Sequence, residues 1–332
     1  MRIFVVLVVG MFVVAAGCSA TPESPASSGP EAPRPNESPD PTWFQTGDLE
    51  GVFAPGDAAR VSVVNPLGDI IVVSGTDETV SATAELRGMG RDEAEARSRT
   101  EGVQLRSSLK DDELALTVEG GDDLTFVALR VTVPQGRDLA LDASAGNASV
   151  EGIEARVSIA GMAGDITVTG VRGPLRVHTE TGNVTVRGVA ESATVYTNSG
   201  KVELTEIAGP VIARTMTGAI RLATASNDII ANTRSGNIQL HVTRPLDGSI
   251  EARTDGGNIK VRLPATSSCR VTTMTRSGDI ASELPLTDVT RNGPNIAGSL
   301  GAGKGTLLAT TNSGNILLLP AEQFQSSVVS QN

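Results

Sequence analysis

The groups that could carry chemistry in this 332-residue chain are few: two histidines, two cysteines and one lysine in a glycine-rich segment stand out. An imidazole can shuttle a proton or ligate a metal, but His178 and His241 can cooperate only if the fold brings them within reach of each other. Gly298-Ser299-Leu300-Gly301-Ala302-Gly303-Lys304-Gly305-Thr306 nearly spells a phosphate-binding loop. That motif needs Ser or Thr directly after the lysine to hold the metal, and then a helix. Here Gly305 follows Lys304, and Thr306 to Leu319 has the pattern of a strand, so a flexible turn loop is expected. Asp165 and Asp279 each follow a glycine but stand alone, and the nine-residue calcium repeat is missing. Arg234, Asp255 and Arg276 are the charged set that recurs at one repeat position, which makes them the candidate outward ligand column.

What must position these groups is an internal repeat. Gly146, Gly164, Gly182, Gly200, Gly218 and Gly236 are separated by five successive steps of 18, followed by Gly257 and Gly278 at steps of 21 and by Gly314 after 36. That last gap holds the glycine-rich stretch Arg291 to Gly305, expected to be a loop. Two residues after the glycine stand Ile166, Val184, Val202, Ile220, Ile238, Ile259, Ile280 and Ile316, and four after it Val168, Val186, Leu204, Leu222, Leu240, Val261 and Leu318. Before the glycine the same alternation runs through Leu175, Ala193 and Val211, then Val177, Val195 and Ala213, then Thr179, Thr197 and Thr215, and finally Thr181, Ser199 and Thr217. These columns are expected to point inward, with residues such as His178, Tyr196, Arg221, Gln239 and Lys260 facing out. Apolar residues at period two mean strands. Each unit is therefore two short strands joined at the glycine corner. Eighteen residues make a loop of about 60 Å, enough for two faces and two bends. The fold class that follows is all-β: a single-chain parallel β-solenoid of about 18-residue coils, identical columns stacking at ~4.8 Å.

This frame disposes of several chemistries. The histidines fall on different faces about three coils apart, too far to share a proton or a metal, and neither a catalytic centre nor a cofactor is expected. The threonine ladder faces inward, unlike the water-facing arrays of ice-binding solenoids. With aromatics at 2% and 36 glycines, the core must be built from stacked aliphatic strands, not from large rings. A net charge of -11 with no basic stripe argues against nucleic acid as partner.

Ahead of the regular coils, Val61 to Ser74 already shows the unit around Gly68. Arg91 to Gly102 reads as a short charged helix, and Glu113 to Val118 and Val127 to Val133 as strands, in a β-rich portion (46–134) that caps the solenoid (135–320). The N-terminus carries a different signal. Met1 and Arg2 precede the apolar run Ile3 to Ala16 and then Gly17-Cys18. A run of about 14 residues is short of the ~20 that span a bilayer, so a cleaved signal over 1–17 is expected. The run into the cysteine resembles the lipobox of bacterial lipoproteins, although Ala15 stands where that family usually has Leu. The resemblance implies that Cys18 is the lipid attachment site and the new N-terminus. Residues 18–45, dense in Pro, Ser and Glu, would be a disordered tether and 321–332 a disordered tail. With Cys18 lipidated, Cys269 has no disulfide partner and is expected to be a buried small apolar residue.

The repeated Thr-x-Ser/Thr-Gly-Asn/Asp-Ile units, as in Thr233-Arg234-Ser235-Gly236-Asn237-Ile238, resemble the DUF4097 β-solenoid family of bacterial envelope proteins, a group labelled "putative adhesin". Asn295-Ile296-Ala297-Gly298-Ser299-Leu300-Gly301 and Thr310-Thr311-Asn312-Ser313-Gly314-Asn315-Ile316 carry the same likeness, which covers roughly Gly56 to Pro320. It implies a non-catalytic, lipid-anchored envelope protein, at the outer membrane or cell surface, whose solenoid adheres to a polysaccharide or an envelope protein. The alternatives are an accessory of envelope-stress signalling that contacts a membrane regulator, and a carbohydrate-active β-helix enzyme.

Overall fold

The computed structural model describes residues 40–321. The 1–17 signal, Cys18, nearly all of the tether and the residues after 321 lie outside the described residues. The first strand, Thr42–Phe53, begins within the stretch expected to be tether.

Two long sheets face each other, one of 14 strands that lead into the corners and one of 13 strands that leave them. In the regular coils the pairing is parallel and in register at a shift of one repeat: Leu175 pairs with Ala193, and Ala193 with Val211 in the leading sheet. Val184 pairs with Val202, and Val202 with Ile220, in the following sheet. Identical inward columns therefore stack on themselves. Ile220, Ile238, Leu204, Val195 and Ala213 are fully buried within one continuous hydrophobic cluster. Among the described residues no aromatic side chain belongs to the fully buried core, in keeping with an aromatic content of 2%.

The corners explain why Asn and Asp follow the glycine. Each such side chain accepts a hydrogen bond from the backbone N–H of its counterpart one coil on, a ladder running Asp69, Asn147, Asp165, Asn183 and Lys201 at 2.7 to 3.0 Å. It lapses where Lys201 and Ala219 offer no acceptor, and resumes from Asn237 to Asn258, Asn315 and Asp279 at 2.8 Å. The inward threonines close the same corner from inside. The hydroxyls of Thr233, Thr254 and Thr311 donate to the carbonyls of Gly218, Gly236 and Gly257 in the adjoining coil at 3.0 to 3.1 Å. The next hydroxyl column does not turn inward: Thr181, Ser199, Thr217, Ser235, Ser277 and Ser313 are all exposed. By that point the chain is already bending round the corner, so two successive side chains leave from its convex side.

Spatial order departs from chain order at both ends. The Gly314 coil, Gly305–Ser313 and Ile316–Pro320, sits between the Gly257 coil and the Gly278 coil. The chain thus lays the outermost coil first and fills the slot beneath it last. The N-terminal end runs the opposite way, laying the inner coil first and the outer one after it. Arg60–Val64 and Ile70–Gly75 form a coil against Gly146, and Glu113–Glu119 with Thr125–Pro134 stack on its outer side. At the N-terminal end both strands of the outer coil are covered by further strands, whereas at the far end Cys269–Ser277 is covered and the short Ile280–Ser282 is the edge of its sheet. Beyond these parallel coils the pairing turns antiparallel. Thr42–Phe53 pairs with Val80–Gly90, which pairs with Thr125–Pro134. At the far end, Thr287–Asn292 and Asn295–Leu300 form a hairpin on Cys269–Thr273. The stretch expected to be a glycine-rich loop is thus largely this hairpin, with Gly293 near its tip; its alternating pattern was masked by glycines.

The expected helix is Glu93–Thr100, capped by the Asp92 carboxylate accepting from the Glu95 N–H. Arg99 donates to both Asp122 and Glu95 and ties it to the cap. A hydrogen bond from the Arg91 N–H holds the Glu95 carboxyl below its ordinary range. Among the described residues no helix is long and apolar enough to cross a membrane.

Candidate binding surface

A solenoid offers its outward columns, and their content changes sharply along the following sheet. Three and five residues after the corner, successive coils present Glu203 and Thr205, Arg221 and Ala223, Gln239 and His241, then Lys260 and Arg262. Strand register puts these pairs side by side: Glu203 beside Arg221, Arg221 beside Gln239, Gln239 beside Lys260, and His241 between Ala223 and Arg262. Thr205 and Ala223 are short, so the surface dips there into a hollow of about 300 Å³ rimmed by the longer Arg221, Lys260 and Arg262.

Charge is unbalanced in this hollow. Glu203, its one carboxylate, is paired with Lys201 at the corner just before its strand, and the nearby Glu206 pairs with Arg187. Arg221, Lys260 and Arg262 take part in no ion pair among the described residues. Three uncompensated cations, an amide and an imidazole thus converge on one concavity of an acidic chain. Such a site can hold an anion by charge-assisted hydrogen bonds. The sequence pattern held the signal, since these columns belong to coils consecutive in the chain, but only the shape of the sheet distinguishes a hollow from a solvated face.

The residues singled out in the sequence are dispersed. Arg234, Asp255 and Arg276 are all exposed on the convex corner, but they are not successive neighbours. The Gly314 coil intervenes, placing Asn312 beside Asp255 with a 3.1 Å hydrogen bond to its carboxylate, and Arg276 lies one strand further on. Their shared repeat position is real; the adjacency inferred for Asp255 and Arg276 is not. Replacing all three by Ala is expected to leave the thermal unfolding midpoint within about 2 °C, because exposed charges contribute little. A larger drop in a calorimetric scan would show a structural role for this column.

His178 lies on the leading sheet and His241 on the following sheet, three coils apart. Lys304 lies in a turn between strands, its N–H donating to the Ser268 hydroxyl, and no helix follows. Cys269 is fully buried, and burial alone pushes its thiol up to about 11, so it stays protonated and inert at neutral pH. Among the described residues no group of three or more His, Cys, Asp or Glu could hold a metal ion.

Several solved structures show a weak similarity to this chain. A "putative adhesin" from Parabacteroides merdae is 12% identical, with a TM-score of 0.48, covering 83% of this chain and 96% of its own. One so described from Bacteroides fragilis is 14% identical, with a TM-score of 0.43 and coverage of 82% and 97%. A "putative cell adhesion protein" from Clostridium sporogenes is 10% identical, with a TM-score of 0.27 and coverage of 85% and 100%. No curated protein matches the chain. The family model described as Toastrack DUF4097 matches residues 65–319, from just after strand Arg60–Val64 to within the last strand, Ile316–Pro320. With most of its length inside that match, the chain belongs to the Toastrack DUF4097 family.

Proposed function

We propose that this chain is a non-catalytic lipoprotein of the bacterial cell envelope, anchored through Cys18, whose solenoid presents a face to a surface partner. The observation that carries this reading is the hollow on the following sheet: unpaired cations held in fixed register by stacked strands suit recognition of a ligand. The titratable groups best suited to acid–base work are apart, His178 and His241 standing on opposite sheets. The partner would be a polysaccharide or another envelope protein.

Anchoring is tested at one atom. Cys18→Ser should move the full-length protein from the detergent phase to the aqueous phase in a cloud-point partition, since the acyl chains would be its only membrane hold. Retention in the detergent phase, after the substitution and removal of residues 1–17, would sink the lipoprotein reading. Purified protein incubated with envelope polysaccharides should release no new reducing ends, and any reproducible release would make it an enzyme.

A further inference from the structure

We infer that the hollow formed by Arg221, Gln239, His241, Lys260 and Arg262 binds an anionic polysaccharide lying across the strands. This rests on the reading that the solenoid displays a binding face, and it names the ligand class. Along the solenoid axis the rows advance by one strand spacing, about 4.8 Å per coil. An extended sugar chain advances by nearly the same amount per ring. Arg221 and Lys260 stand two coils apart in one row with Gln239 between them. Acidic groups on alternate sugars would therefore meet Arg221 and then Lys260, while the Gln239 amide faces the intervening ring. In the second row Arg262 lies beside His241 and supplies a third cation. Guanidinium forks suit carboxylates and sulfates because two parallel N–H groups match two oxygens.

The next coil supports a sugar over a bare polyanion. Lys260 is followed by Leu317 and Arg262 by Leu319, both half-buried on the outer face, which gives the C–H faces of further rings an apolar floor. A nucleic acid would need more cations than three, and the chain's net charge of -11 repels a long polyphosphate. A membrane surface is flat, and these groups rim a recess.

The test uses the full-length protein in calorimetric titrations at physiological salt. The probes are polygalacturonate, dextran sulfate, neutral dextran, phosphatidylglycerol-containing vesicles and a single-stranded oligodeoxynucleotide. At least one of the two anionic glycans should bind, and neutral dextran should not. The triple variant R221A/K260A/R262A should weaken that binding by about tenfold or more. A charge-matched triple on the leading sheet, R176A/R214A/R270A, should change it by less than about twofold. Thermal melts of both variants should match the parent, which separates binding from folding. The proposal is overturned if neither anionic glycan binds, if both triples weaken binding equally, or if vesicles or oligonucleotide bind more tightly than the glycans. A protein partner captured at this face in any of those cases would leave the surface-binding reading intact and remove only the glycan.

Discussion

Ile220→Asp is expected to lower stability by about 4 kcal/mol or more, whereas Arg221→Asp, one residue on, should cost under about 1 kcal/mol. Ile220 is 0% exposed and stacks between Val202 and Ile238 inside the closed coil. A carboxyl there finds neither water nor a cation. Burial would raise its pKa in the folded state above the ordinary value of about 3.9. The folded state then holds the proton more tightly than the unfolded state does. The penalty should therefore be smallest below about pH 4 and grow as pH rises toward the folded-state pKa. Urea midpoints at pH 4 and pH 7 would measure this. Equal losses for Ile220→Asp and Arg221→Asp would mean that the strand faces are reversed.

The second large effect separates two adjacent glycines. Gly257→Ala should cost about 3 kcal/mol, and Gly256→Ala should stay within about 0.5 kcal/mol of the parent. Gly257 has φ +153, and a Cβ built on it would lie 2.1 Å from the carbonyl oxygen of Gly236 in the coil below. Neither atom can move far, because the Gly236 carbonyl accepts the Thr254 hydroxyl and the Gly257 N–H donates to Ser313. Gly256 has nothing within 4 Å of its would-be Cβ, and other coils carry Ser or Thr at that place. Hydrogen exchange should show the loss for Gly257→Ala concentrated in the Gly236, Gly257 and Gly314 coils, since each coil touches chiefly its neighbours. Uniform loss along the chain, or matching costs at Gly256 and Gly257, would contradict the close-approach explanation.

How much of this was legible in one dimension follows from which interactions are local. The period of 18 and the alternation of Val184, Val186, Val202 and Leu204 determined the strands, their inward faces and the coil, because a stacked column places like on like and the pattern must repeat. The same logic made the Thr179 and Thr197 column buried and Arg221, Gln239 and Lys260 outward. Three things needed the tertiary structure. The Gly314 coil slips between Gly257 and Gly278, and nothing in three equivalent repeats says which of them are neighbours; that order depends on the hairpin 287–300 carrying the chain back. The Thr181 and Ser199 column leaves the core because the corner bends before the glycine, a rotation that strict period two does not encode. The binding hollow exists because Thr205 and Ala223 are short where Arg221, Lys260 and Arg262 are long. That relief across four coils has meaning only once the strands are laid side by side.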